Sequence, residues 1–422
     1  LRSQVTFISY LFCLLAISLT SHARQQAQSL FQQYESSLYQ IRIIDIESGN
    51  KSAIGSGFQI DDAGTIATNY HVISQYIFHP DKYRIEYENT AGQTGLLSLI
   101  KFDLINDLAI VKQNDGYTNY LTLAQALPRQ GDDIYSLGNP HDLGMIVVPG
   151  TFNGIKKNSF YQRIHFTGSI NPGMSGGPVL SDQGEIIGVN VATAGNQIGF
   201  LIPLPRLSNL ISRDASSEEE MQQYKLHIQH QLHANQEELV NKMLSTNWPQ
   251  VELGEARVPG QVSDILSCWG GSNNNDQKRL FSSIKQRCNM GEQVFVHQNF
   301  FSGEVEMEFE LLGSINVSQQ RFYNLLQQAI NSAEAPNRAS KLDVSNFRCR
   351  HGGFENQHSS MQKAAFCTRA YREFEGLYDV LYIASTVDEN NQALISHFTL
   401  AGVSQESSLK FAKKFMESTS WQ

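Results

Sequence analysis

Three short segments carry residue types that could do nucleophilic chemistry. The most specific is Asn171-Pro172-Gly173-Met174-Ser175-Gly176-Gly177-Pro178-Val179. Glycines on both sides of a serine permit a tight turn that presents its hydroxyl. They also let the backbone N–H groups of Gly173 and Ser175 converge on one point, as an oxyanion hole requires. The second segment joins Gly55-Ser56-Gly57-Phe58 to a strand that delivers His71 at its end, within Ala67-Thr68-Asn69-Tyr70-His71-Val72-Ile73. The third is Asn106-Asp107-Leu108-Ala109-Ile110-Val111, an acid directly before an apolar strand. A histidine or an aspartate in such a setting is, alone, more often structural. Together the three offer a nucleophile, a general base and an acid to orient it, the requirements of acyl transfer. Asp103 competes with Asp107 but lacks the apolar strand directly after it. His79, His141 and His165 lack the strand-end context of His71.

The elements that must position these residues read as β. From Ser37 to about Leu204, short runs such as Tyr39–Ile46, Ser56–Asp61, Leu108–Lys112 and Glu185–Val191 alternate with turn signals such as Asp62-Ala63-Gly64 and Asp182-Gln183-Gly184. Many short strands with regular turns predict an all-β barrel or sandwich. The chain order His71, Asp107, Ser175 is that of chymotrypsin-type enzymes, not of subtilisins or α/β-hydrolases.

The stretches ATNYHVI, NDLAIV, GNPHDLG and INPGMSGGPV resemble the trypsin-like serine proteases of the HtrA (Deg) group, over roughly residues 38–213. That resemblance implies two six-stranded β-barrels with the catalytic residues between them. It makes Ser175 the nucleophile, His71 the base and then acid, Asp107 its orienting partner, and the Gly173 and Ser175 amides the oxyanion hole. No internal Ile-Val-Gly-Gly site occurs near the first strand, and the residue before Ser175 is Met174 rather than Asp. The zymogen switch of digestive trypsins is therefore not expected. Ser169 stands where a trypsin-like pocket would hold an acid, so the resemblance places Ile170, Ala194 and Ile198 around the S1 site and implies a small or medium apolar P1 residue. It further implies protein or peptide substrates, no cofactor or metal, and a possible homotrimer formed through Phe31, Tyr34 and Tyr39 near the N-terminus. HtrA proteins usually carry PDZ domains in their C-terminal part; no such carboxylate-binding loop is legible here. A non-catalytic peptide-binding or chaperone-like protein on the same fold, and a hydrolase of small esters, are the competing readings.

The remaining sequence bounds these ideas. At 422 residues, 41% hydrophobic and 17% charged, the chain can build two or three domains. A net charge of −9 without a basic run argues against a nucleic-acid partner. Val5–Leu19 is apolar, too short to span a bilayer, and is followed by Ser21-His22-Ala23, the anatomy of a signal peptide over residues 1–23. Export to the periplasm or the medium follows, with membrane attachment only if the segment is retained. Residues 24–37 are Gln-rich and read as a loose arm. Residues 214–247 read as a helical linker: Met221, Tyr224, Ile228, Leu232, Leu239 and Met243 form one apolar stripe, Ser217 and Glu220 a capping box, and His227, His230 and His233 a solvated face. Residues 248–422 read as an α+β domain of unknown partner, a sheet with helices on one face. Its order strand–strand–helix recurs, with Glu292–Phe300 and Glu304–Leu312 as one strand pair. Cys268, Cys288, Cys349 and Cys367 all lie there. Local bridges Cys268–Cys288 and Cys349–Cys367 fit the spacing best among three connectivities; a zinc site is the rival.

Overall fold

The computed structural model describes residues 25–114, 119–193, 198–214, 223–355, 361–387 and 391–421. The expected signal segment, the Ser217/Glu220 capping box, Met221 and Ala194 lie outside them. The chain divides into two compact units. One comprises Leu1–Lys156 with Tyr161–Tyr224, the other Lys157–Phe160 with Lys225–Gln422.

The first unit contains two closed six-stranded antiparallel barrels. Strands β1 (Leu38–Asp45), β2 (Lys51–Gln59), β3 (Thr65–Thr68), β4 (Tyr83–Asn89), β5 (Thr94–Asp103) and β6 (Leu108–Lys112) close in the order β1-β2-β3-β6-β5-β4. Strands β7 (Asp133–Gly138), β8 (Ile146–Ile155), β9 (Ile164–Phe166), β10 (Pro178–Leu180), β11 (Ile186–Thr193) and β12 (Gly199–Pro203) close in the order β10-β11-β12-β9-β8-β7. Closure pairs β1 with β4 and β7 with β10, so neither barrel has a free edge. Inward residues such as Ile134, Phe166, Val179 and Leu201 fill the second barrel, and a core including Phe58, Leu108, Leu137 and Ile202 lies between the two. Helix α3 (Leu204–Ser212) buries Leu204, Leu207 and Leu210 against that core. Each buried leucine contributes about 1.5–3 kcal/mol.

The Gln-rich arm is not loose. Residues 25–34 form helix α1, which buries Ala27 and Leu30 in the same core. Gln26 Nε2 donates to the Asp182 carbonyl at 2.6 Å. Phe31 and Tyr34 of the same helix pack against that core, partly buried. Tyr39 is 1% exposed and faces Tyr87 edge-on, so it presents no surface to another subunit.

The second unit contains, from Lys225 on, the long helix α4 (Tyr224–Leu244), whose Ile228, Leu232, Leu239 and Met243 are buried as the stripe predicts. It is part of this unit's core rather than a bare linker: Gln236 accepts from Ser404 N–H, and the Leu244 carbonyl accepts from Lys414 Nζ. Strands β13 (Gln250–Leu253) and β14 (Ala256–Pro259) join β24 (Ser420–Trp421), while β17 (Val294–His297) and β18 (Phe300–Ser302) form a hairpin. The main sheet has the order β15-β16-β19-β23-β22-β21-β20. Its strands are β15 (Ser267–Ser272), β16 (Phe281–Asn289), β19 (Val305–Ser314), β20 (Arg348–Glu355), β21 (Met361–Ala370), β22 (Tyr378–Thr386) and β23 (Gln392–Val403). The expected pairing of 292–300 with 304–312 is replaced: β19 runs between β16 and β23.

The helices do not share one face. Helix α5 (Gln319–Asn331) packs Phe322 and Leu326 on Leu312, Ile383 and Ile395. Helix α6 (Gln405–Glu417) packs Phe411 and Phe415 on Phe398, with ring centroids 5.1 and 5.0 Å apart, on the opposite side. Apolar residues therefore alternate onto both faces of β23, which is buried along almost its whole length. Both cysteine pairs are bonded, Cys268–Cys288 across β15–β16 and Cys349–Cys367 across β20–β21. Their thiolates are thus not available to zinc. Among the described residues no cluster of three or more metal-ligating side chains occurs, and no helix is long and apolar enough to cross a membrane.

Candidate active site

His71 lies on a helix rather than at the end of the strand, where the sequence suggests it. Strand β3 ends at Thr68, and His71 is the second residue of helix α2 (Tyr70–Phe78). Tyr70, Val72, Ile73 and Ile77 are buried, which fixes the helix and therefore the imidazole. Asp107 closes the turn between β5 and β6 in a left-handed conformation, φ 61°. Aspartate tolerates this region better than most residues. One carboxylate oxygen of Asp107 accepts from His71 N–H at 2.8 Å, and the other lies 2.7 Å from His71 Nδ1. Asn69 Nδ2 donates to the Asp107 carbonyl at 2.8 Å. The carboxylate thus grips both the backbone and the ring of the histidine.

Asp103 has a different task. Its oxygens accept from Asn106 N–H at 2.8 Å and Asn106 Nδ2 at 2.9 Å, and it pairs with Arg213 at 3.1 Å. It braces the turn that carries Asp107. Arg163 Nη1 donates to the Asn106 carbonyl at 3.1 Å, a second brace from the other barrel.

Burial disfavours the charged imidazolium of His71, but the charge and hydrogen bond of Asp107 outweigh it, and the pKa lies above the ordinary histidine value. The Arg163 guanidinium pulls it down. The side chain is 28% exposed, so solvent screens part of each effect.

Ser175 lies on the loop between β9 and β10. Gly173 (φ 97°) and Gly176 (φ 85°) flank it in conformations that favour glycine. A Cβ on Gly176 would stand 2.3 Å from the Ser56 carbonyl and 2.9 Å from Asn69 N, so only glycine lets this loop lie against the segment leading to His71. Ser175 Oγ has one long hydrogen bond, to the Val191 carbonyl at 3.4 Å. The loop's amides divide into two sets. Met174, Gly176 and Gly177 N–H donate to Asn171, Asn190 and Met174 carbonyls. Gly173 and Ser175 N–H have no hydrogen-bond partner among the described residues.

The orientation of Gly173 is held from two sides. His141 N–H donates to the Pro172 carbonyl at 2.8 Å, and Ser56 Oγ donates to the Gly173 carbonyl at 2.7 Å. Ser56 also receives Asn139 N–H at 2.9 Å and gives its own N–H to the Ser175 carbonyl at 2.7 Å. The loop of Asn139 and His141 is in turn strapped to the first barrel: Asp142 accepts from Gln40 and pairs with Lys51. Sequence reading singles out the glycines around Ser56 and passes over the serine, and dismisses His141 on its side chain when its backbone matters. A polar residue between two glycines of a buried strand was the available signal.

Of the expected S1 residues, Ile170 lies beside Gly199, the neighbour of Ile198: a Cβ on Gly199 would stand 2.8 Å from Ile170 Cδ1. Ile170 is 4% exposed in the core of the second barrel, Ile198 is 39% exposed, and Ala194 lies outside the described residues.

Residues 55–189 match the family model of the trypsin-like peptidase domain. The chain is 32% identical over 160 residues to the probable periplasmic serine endoprotease DegP-like of Chlamydia trachomatis, covering 35% of this chain and 31% of that protein. It is 27% identical over 267 residues to the serine endoprotease DegS of Haemophilus influenzae, covering 59% of this chain and 74% of that protein. A solved serine endoprotease from Yersinia pestis aligns with 44% of this chain and 65% of its own at 26% identity, TM-score 0.39. The chain spans about a third of the length of the DegP-like relative. With two closed barrels and a glycine-flanked serine loop beside a His–Asp pair, the first unit of this chain is a trypsin-like peptidase domain of the HtrA type.

Proposed function

We propose that the chain is an exported serine endopeptidase that cuts unfolded or extended protein segments after small or medium apolar residues. One observation carries the reading best: the two loop amides left without a partner, Gly173 and Ser175, are those that would receive an oxyanion. His71 takes the Ser175 proton as Oγ attacks the carbonyl, and Asp107 stabilises the imidazolium and fixes its tautomer. The tetrahedral oxygen is held by the two amides. His71 then protonates the leaving amine, and water repeats the sequence on the acyl-enzyme. Ile170, Ala194 and Ile198 are proposed to shape S1. Export is supported by the two disulfides and by the word periplasmic in the name of the Chlamydia relative.

The test is labelling of the full chain by a fluorophosphonate, with casein hydrolysis measured alongside. Stoichiometric labelling lost in Ser175→Ala is expected. Absence of labelling in the intact protein, or label retained in Ser175→Ala, would overturn the mechanism.

A further inference from the structure

The second unit carries a groove that the peptidase chemistry does not use. Helix α6 covers β22 and β23 on its face of the main sheet but leaves β21 and β20 beside it uncovered. The resulting depression, about 660 Å³, is lined by Phe366, Thr368 and Tyr378 on one side and by Ser408 and Leu409 of α6 on the other. Arg348 and Arg350 of β20 stand at its rim. These two arginines alternate onto the same face, two residues apart, roughly 7 Å along the strand.

Three facts point to what fits there. Both guanidiniums are exposed, and neither has a hydrogen bond or ion pair among the described residues. The hydroxyls of Thr368 and Tyr378 are likewise without a partner. No acidic residue lines the groove, although the chain as a whole has a net charge of −9. Unpaired donors and cations gathered without a counter-charge are complementary to an anion. Moreover β20 is the last strand of the sheet among the described residues, so its outer edge presents backbone donors and acceptors that no described strand pairs with.

We propose that this edge is a docking site for an extended acidic polypeptide segment that adds a strand beside β20. Acidic side chains at every second position would face Arg348 and Arg350, on the face that also carries Phe366 and Thr368, while the side chains between them turn to the other face of the sheet. Main-chain pairing supplies the affinity and the alternate side chains supply the selection. The inference does not rest on the triad, because binding can be read without catalysis.

The test uses the full chain carrying Ser175→Ala and a fluorescein-labelled octapeptide of alternating Glu and Val, followed by anisotropy. Saturable binding is expected, weakened at least ~5-fold by raising salt from 0.05 to 0.5 M. The double variant Arg348→Glu/Arg350→Glu should weaken it by at least ~10-fold while the melting temperature is unchanged. In the Ser175-containing chain the same double variant should leave fluorophosphonate labelling unchanged. Methylating every second peptide nitrogen on the pairing edge should abolish binding. Equal binding of a block peptide with four Glu followed by four Val, indifference to the arginine reversal, or insensitivity to N-methylation would each overturn the proposal. So would arginine-dependent capture by phosphatidylglycerol vesicles with no binding of the peptide.

Discussion

Replacing Ser56 with alanine removes one oxygen, and two hydrogen bonds go with it: the one Ser56 Oγ gives to the Gly173 carbonyl and the one it takes from Asn139 N–H. Both lie in a buried setting. A typical hydrogen bond contributes about 1 kcal/mol net, so the hold on the Gly173–Met174 peptide, which abuts the one carrying the Gly173 N–H, weakens by up to about 2 kcal/mol. The His141 bond to the Pro172 carbonyl remains and keeps the loop from collapsing outright. If the productive orientation has only a small margin in the intact loop, losing this hold leaves the unproductive one dominant and kcat falls by up to about 30-fold, since 1.4 kcal/mol is tenfold. That is below the ~100- to 1,000-fold loss expected when an oxyanion donor is removed entirely. The assay is steady-state hydrolysis of an Ala-Ala-Val p-nitroanilide together with inhibition by the matching peptide boronate. Lower kcat, unchanged KM and boronate affinity reduced by the same factor as kcat are expected. A normal kcat with a lowered melting temperature would refute the reasoning, since Ser56 would then only support the fold. A raised KM with intact kcat would refute it as well.

Other consequences are more direct. Peptidase activity should rise through an apparent pKa above 6.5, because Asp107 holds the His71 imidazolium and activity needs the neutral ring. Arg163→Met removes a charge that pulls this pKa down, so its acid limb should shift to higher pH; a shift to lower pH would contradict the assignment. Asp107→Asn should lower kcat by ~10,000-fold and move the acid limb to lower pH, whereas Asp103→Asn should cost no more than ~10-fold in kcat and ~1–3 kcal/mol in stability. Equal effects of the two on kcat would reverse their roles. Reductant should destabilise the second unit by about 2–4 kcal/mol per bridge in differential scanning calorimetry. It should leave the transition of the barrel unit in place, since all four bonded cysteines lie outside it.

Much of the site was legible because its chemistry is written locally. Gly173, Ser175 and Gly176 are contiguous, and the backbone geometry they need can be met by few other residues. The all-β character was legible too, since short runs between turn residues read as a barrel or a sandwich; the two six-stranded barrels were implied by the resemblance alone. What the sequence hid depends on distant partners. Ser56 acts on a carbonyl 117 residues away, and its role cannot be read from neighbours. The docking of α1 rests on Ala27 and Leu30 with Phe31 and Tyr34 partly buried beside them, a short pattern that does not stand out in a Gln-rich stretch. In the second unit the expected strands 292–300 and 304–312 overlap β17 and β19, which are not neighbours in any sheet. Both faces of β23 are apolar, so alternation could not say which helix lies where.

The positions of the two disulfides have a mechanical consequence. One joins the first strand of the seven-stranded sheet to the second, and the other joins the last to the one before it. Outer strands are where a sheet ordinarily frays, because each has a single neighbour. Here both hems are stitched covalently, so traction applied at either margin passes into the interior strands instead of peeling the rim away.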